Sequence, residues 1–213
     1  MDRFDIIYYI NLDKREDRKK EILQELEKMD VNMNKVKRIP GVIENLACLG
    51  CSKAHLNALL DFEKTNHNNC LILEDDFMFL MDKKETNQQL NKFWDSGNEW
   101  DVLMLSGHIK KYQSANINSL YKVNDGQTTS GYSVNRHYLP KLIQNYREGI
   151  EELRKCNKGR NGYCIDMYWK RLQPESKWFI FYPKIGKQRP GYSDIEKRVV
   201  DYRNENRDIK VKK

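Results

Sequence analysis

The run Cys70-Leu71-Ile72-Leu73 ends on three carboxylates, Glu74, Asp75 and Asp76. A short unbroken apolar run of this kind reads as a buried strand. Three neighbouring acids repel one another and resist desolvation unless a positive group sits among them. At the end of a strand in an α/β sheet, side chains point into the crevice where such folds bind ligands. One partner that fits is a divalent cation. Magnesium and manganese favour oxygen ligands and are commonly held by one or two carboxylates together with substrate phosphates. The alternative is a solvated strand-to-loop turn, and the rest of the chain bears on the choice.

Segments on either side supply an α/β frame. Residues 4–12 are rich in β-branched and aromatic side chains and apolar without a break from 6 to 10, as in a strand covered on both faces. Asp13 follows at an N-cap position, and Ile22, Leu23, Leu26 and Met29 then recur at helical spacing over 15–29. Arg15 and Arg18 share one face of that helix's first turn, just past a strand end. There they meet a nucleotide or form a solvated charged face. A short strand over 36–39 is closed by Pro40-Gly41, and 46–51 reads as a loop. Ser52 caps a helix to about 65, with His55 in its first turn. A lone histidine there more often packs or hydrogen-bonds than catalyses.

This strand–helix–strand alternation predicts an α/β fold with crossovers and a mixed, mostly parallel sheet between helix layers. Further on, helices are expected over 86–95 and 138–153, and strands over 100–105, 131–134 and 178–182. Residues 109–130 are polar, with one strand candidate at 120–123, and read as a mobile loop over the site. Asp166 opens a short helix after an apolar run. A single domain, 1–195, is followed by a charged tail, 196–213, whose composition is compatible with partial disorder.

A chain of 213 residues suffices for one such domain with a proper core. Its net charge of +7 fits an anionic partner: nucleic acid, an acidic membrane surface or a phosphorylated small molecule. Nucleic acid is disfavoured, because the basic residues are dispersed and carry no RNA or DNA motif. No glycine-rich loop with lysine points to a phosphoryl transferase. No apolar run approaches eighteen residues, so no transmembrane segment is expected. Without a signal-peptide profile, the expected location is cytoplasmic: soluble, peripheral to a membrane, or in a host cytoplasm if the source is viral. Five cysteines, an odd number, argue against a disulfide framework. Cys48 and Cys51 form a CxxC that lacks the second pair of a structural zinc site.

Five segments, in order, resemble glycosyltransferase family 25, which contains bacterial lipooligosaccharide galactosyltransferases and collagen hydroxylysine glycosyltransferase domains. They are Ile10-Asn11-Leu12-Asp13-Lys14-Arg15-Glu16-Asp17-Arg18, Gly50-Cys51-Ser52-Lys53-Ala54-His55, Leu73-Glu74-Asp75-Asp76, Ser130-Gly131-Tyr132-Ser133-Val134, and Gln188 through Ser193-Asp194-Ile195. Residues 109–130 match none of its motifs. The resemblance implies a nucleotide-diphosphosugar transferase fold of the GT-A type. It also implies inverting transfer of a hexose, galactose or glucose, from a UDP-sugar to an acceptor hydroxyl. The acceptor classes are a glycan, as in lipopolysaccharide biosynthesis, and hydroxylysine in a collagen-like protein.

On that resemblance, Glu74 and Asp76 hold Mn2+ or Mg2+, with Gln188 as a third ligand from its place in the last motif. Asn11, Asp13, Arg15, Arg18, Ser52, His55, Asp75, Gly131 and Tyr132 are the donor-binding candidates. The catalytic base is Asp166 or Asp194, with Asp166 favoured for its match to the family's valine-aspartate position. A non-catalytic sugar-nucleotide binder is the competing reading, since function resides in the site and not in the fold.

Overall fold

A computed structural model describes residues 1–156, 162–193, 198–200 and 209. The chain runs β1 (Ile6–Asn11), α1 (Glu16–Lys28), β2 (Val36–Pro40), α2 (Ala47–Glu63), β3 (Asn69–Glu74), β4 (Phe77–Phe79), α3 (Lys83–Asp95) and β5 (Val102–Met104). It continues through β6 (His108–Ser114), β7 (Leu120–Gln127), β8 (Gly131–Asn135), α4 (Leu139–Cys156), α5 (Ile165–Tyr168) and β9 (Trp178–Phe181). Three short strands follow: β10 (Gly186–Gln188), β11 (Gly191–Ser193) and β12 (Arg198–Val200).

Eight strands form one sheet in the order β2-β1-β3-β8-β5-β9-β7-β6. Only β7 and β8 run against the others, so the sheet is mixed with most strands pointing one way. Strand pleating sends alternate residues to opposite faces. Tyr8, Ile10, Cys70 and Ile72 pack with α2 and α4 on one side. Ile7, Tyr9, Leu71 and Leu73 pack with α1 and α3 on the other. The continuous apolar runs of β1 and β3 follow from this: both faces are covered.

β1 stands between β2 and β3. The chain reaches β2 through α1 on one face and returns to β3 through α2 on the other. Successive connections therefore leave the carboxyl ends of β1 and β2 toward opposite faces, a switch point where open α/β sheets form a crevice, and the end of β3 borders it. Ile10 is level with Glu74 there, and Leu73 with Gly131 at the start of the reversed β8. A two-stranded ribbon of β4 and β10 extends this edge, with Phe77 opposite Gln188.

Several local expectations are corrected. Asp13 is not the cap of α1; Arg15 occupies that position, and no side chain caps the helix. Glu16 and Asp17 in the first turn and Lys28 in the last instead complement the helix dipole. α2 begins at Ala47, so Gly50 and Cys51 are helical and Ser52 is no cap. The Ser52 hydroxyl donates back to Cys48 O at 2.9 Å within the helix. Gly50 is tolerated because the helix presses on the preceding loop: a Cβ there would collide with Val42 O. α3 starts earlier than expected because Asp82 and Glu85 form a capping box.

The largest correction concerns 109–130: the strand candidate at 120–123 lies in β7, but the stretch is not a mobile loop, because β6 and β7 form an antiparallel pair. β6 is the edge strand, and its exposed Lys110, Lys111 and Gln113 hide the strand signal while guarding the edge. Of the 196–213 tail, Arg198–Val200 pair antiparallel with Gly191–Ser193, and Val200 and Ile209 are buried.

Candidate active site at the carboxyl edge of the sheet

Asn11, the last residue of β1, is almost fully buried and ties the site's elements together. Its Nδ2 donates to Asp75 Oδ2 at 2.8 Å and to Arg15 O at 3.0 Å. Arg38 from β2 donates to its Oδ1 at 3.2 Å, and Gly41 N to its backbone oxygen at 2.9 Å. One turn into α1, Arg18 reaches the acids. Its Nη1 lies 3.1 Å from both Asp75 Oδ1 and Asp76 Oδ2, and its Nη2 donates to Tyr192 O at 2.6 Å. The positive group that three adjacent acids require is therefore supplied, in part, by this guanidinium.

The acids are not equivalent. Burial pushes Asp76 up, the charge of Glu74 pushes it further, and its carboxyl stands at about 7. Asp76 Oδ2 accepts from Arg18 and from Gln188 Nε2, the latter at 3.0 Å. Its Oδ1 is buried without a hydrogen-bond partner among the described residues. Burial also raises Asp75, although Asn11 and Arg18 oppose it. For Glu74, burial alone would raise the carboxyl, but hydrogen bonds from His55 and Thr129 and the charge of Arg18 hold it below the usual range. Thr129 Oγ1 donates to Glu74 Oε1 at 2.6 Å, and His55 Nε2 lies 3.3 Å from the same oxygen.

These groups face a cavity of about 420 Å3. Among the expected site residues, Asn11, Arg15, Arg18, His55, Glu74, Asp75, Asp76 and Gln188 line it. Its other wall is the 41–45 loop, held against α2 by the close approach at Gly50. Ile43 (74% exposed) and Tyr192 (48%) offer apolar surface at the rim.

Other candidates are placed elsewhere. Asp13 pairs with Arg38 and is largely exposed, outside the cavity lining. Ser52 is buried within α2. Gly131 lies under the Phe77 ring, where a Cβ would come within 2.5 Å of a ring carbon. Tyr132 is fully buried behind His55, its hydroxyl 3.0 Å from His55 Nδ1 and accepting from Tyr146 OH at 3.1 Å. Arg15 lines the cavity but also grips Asp17, with Nη2 to Oδ2 at 2.8 Å. Gln188 meets the acid motif as a donor to Asp76, not through its carbonyl oxygen. Asp194 lies outside the described residues.

Asp166 is beside the cluster, not on the cavity wall. Its Oδ2 accepts from Thr128 N at 3.2 Å, and burial, then the charge of Glu74, raise its carboxyl. Thr128 has φ of 84°, a costly conformation for a β-branched residue. That backbone turn aims the Thr128 N–H at Asp166 and the adjacent Thr129 hydroxyl at Glu74. Sequence reasoning passed over Thr128 and Thr129, which stand just before the quoted Ser130-Gly131 motif with no residue-type signal of their own. Tyr192, by contrast, stands inside the last quoted motif.

No protein-family model and no curated protein matches the chain. Solved structures do. A glycosyltransferase involved in the glycosylation of the major capsid of PBCV-1 is similar at 14% identity, over 90% of this chain and 95% of its own, with a TM-score of 0.51. Mannose-1-phosphate geranyltransferase from Thermus thermophilus is similar at 9% identity, over 88% and 74%, with a TM-score of 0.49. The first likeness shows the fold alone: the chain shares the α/β architecture of that structure, in line with the expected fold class.

Proposed function

We propose that the protein is a metal-dependent glycosyltransferase that moves a hexose, galactose or glucose, from a UDP-sugar to an acceptor hydroxyl with inversion at the anomeric carbon. One observation carries this reading. The Glu74-Asp75-Asp76 motif lines a cavity at the carboxyl edge of the sheet, with Arg18 among the acids and one oxygen of Asp76 left without a partner among the described residues. A buried carboxylate oxygen without a donor is costly, and a divalent cation satisfies it. Glu74 and Asp76 are thus the residues that would hold Mn2+ or Mg2+. When bound, such a cation offsets the charge that builds on a departing diphosphate.

The chain's own residues do the rest. Arg18 and Asn11 fix the orientation of Asp75 and Asp76. Arg15 offers guanidinium geometry suited to phosphate at the cavity wall. Asp166, beside the cluster and outside the cavity lining, is the carboxylate assigned to take the proton from an acceptor hydroxyl that approaches from the Thr128 side, as the hydroxyl oxygen attacks the anomeric carbon. The bond from that carbon to the diphosphate oxygen breaks, and the electron pair leaves with the diphosphate. A raised carboxyl suits this role, because a general base works best with its pKa near the working pH. The resemblance to family 25 supports the donor class and two acceptor classes, a glycan and a collagen-like hydroxylysine. The PBCV-1 enzyme's part in capsid glycosylation favours neither.

Replacing Asp166 with Asn tests the assignment of the base. Transfer should fall by about 10²–10⁴-fold, the usual worth of general base catalysis. Donor binding, read by calorimetry, should persist. Unchanged turnover in Asp166→Asn removes the residue from the mechanism.

A further inference from the structure

Cys51 and His55 are four residues apart on α2, so their side chains share one face. Across from that face stands Glu74 at the end of β3. Cys51 Sγ, a ring nitrogen of His55 and a carboxylate oxygen of Glu74 all lie within 4.8 Å of one another. All three residues line the cavity. A tetrahedral zinc with bonds of about 2.0–2.3 Å holds its donors roughly 3.3–3.8 Å apart. Small side-chain rotations close the difference.

The surroundings are those of a prepared ligand set. Metal-bound histidines usually give their other ring nitrogen to an outer partner, which fixes the ring and its tautomer. His55 Nδ1 has such a partner in the Tyr132 hydroxyl at 3.0 Å, itself held by Tyr146. The His55 and Tyr132 rings also stack, with centroids 5.7 Å apart and planes 26° from parallel. With Nδ1 held by Tyr132, Nε2 faces Glu74 3.3 Å away, and a bound cation would take the place of the proton shared between them. Thr129 orients the carboxylate in the same manner.

We propose that Cys51, His55 and Glu74 form a three-ligand site for a zinc-class divalent cation, its fourth position open to the cavity. The donor set is sulfur, nitrogen and oxygen. Thiolate and imidazole select zinc or cobalt over magnesium and manganese, which prefer oxygen alone. Three protein ligands with one open position is the pattern of a zinc that binds water or an anionic oxygen of a ligand. Glu74 is common to this site and to the carboxylate pair with Asp76; Cys51 and His55 belong only to this one. The inference stands whether or not sugar is transferred in the cavity.

Cobalt titration of the chelator-treated full chain tests it. The expected result is one tetrahedral cobalt per chain, with strong visible d–d absorption and a near-ultraviolet thiolate-to-cobalt band, both displaced by zinc. Cys51→Ala should abolish the thiolate band and weaken zinc binding by more than about a hundredfold, beyond what loss of an outer partner alone costs. Tyr132→Phe should keep the spectrum and weaken binding roughly 10–100-fold. Cys48→Ala and Asp76→Asn should both keep the thiolate band, which separates this site from the one built on Asp76. Circular dichroism of each metal-free variant distinguishes a lost ligand from a lost fold. A wild-type spectrum without a thiolate band, or a band that survives Cys51→Ala, overturns the proposal. The wild-type result decides by itself if a variant fails to fold.

Discussion

Arg18 carries the electrostatics of the acid motif. It bridges two buried carboxylates at 3.1 Å each, and its own side chain is 13% exposed. Taking away one member of a buried charge cluster leaves the others uncompensated, at about 3–5 kcal/mol. Arg18→Met should lower stability in urea unfolding by about that much without metal, and Mn2+ should restore part of it. A variant as stable as wild type would mean that solvent, not Arg18, screens Asp75 and Asp76. Asp76 adds a pH dependence. Its carboxyl stands at about 7 in the fold, against an ordinary 3.8. The native chain thus keeps a proton that the unfolded chain has released between those values. Stability contributed by that proton is present at low pH and lost as pH rises toward about 7. In chelator, wild type should therefore lose stability relative to Asp76→Asn between pH 5 and pH 8. A gap between the two proteins that stays constant across that range contradicts the assignment.

Much of this was legible in the chain itself, for a physical reason. An apolar strand that ends in acids, and arginines on the first turn of the next-door helix, are patterns of residue type at fixed spacing. They led to Glu74, Asp76 and Arg18, whereas Gln188 came only from the resemblance, through its place in the last motif. Cys51, Tyr146 and Thr129 were not legible as partners of the site, because tertiary packing alone brings α2 and the segment before β8 to Glu74, and α4 to the Tyr132 hydroxyl behind His55. Ser52 and Gly131 fall outside the cavity lining for the converse reason. Their types suit binding, yet a helix interior and an aromatic ring claim them.

Phe77 shows how elements hold the motif in place. It follows the acids directly, is fully buried, and its ring is clasped by two glycines, Gly131 at the head of β8 and Gly186 at the head of β10. Neither position tolerates a Cβ without moving the ring. The ring anchors β4, and β4 sets the turn that presents Asp75 and Asp76. Gly131→Ala should cost about 1–3 kcal/mol through overpacking, with cation affinity falling as the turn shifts. Unfolding and Mn2+ titration of the variant measure both; an unchanged melting temperature would show that the ring has room to move. The β6–β7 pair makes the opposite point. Its lysines made it read as a loop, although charge on an edge strand is how a sheet avoids pairing with its neighbours.

For the molecule as a whole, the decisive feature is where successive connections part. α1 leaves β1 on one face and α2 leaves β2 on the other, so the ends of β1 and β2 open a crevice that both helices wall and the acids at the end of β3 border. The cluster of acids, the two arginines and the histidine come from segments far apart in sequence and meet only at this edge. The measurement that bears hardest on the proposed reading is a thermal shift across a panel of nucleotide sugars, with and without Mn2+. A ligand that binds only the native chain raises its melting temperature by mass action. A UDP-hexose should give a shift that requires Mn2+ and disappears in Asp76→Asn. Equal shifts with and without the cation, or no shift with any nucleotide sugar, would contradict it.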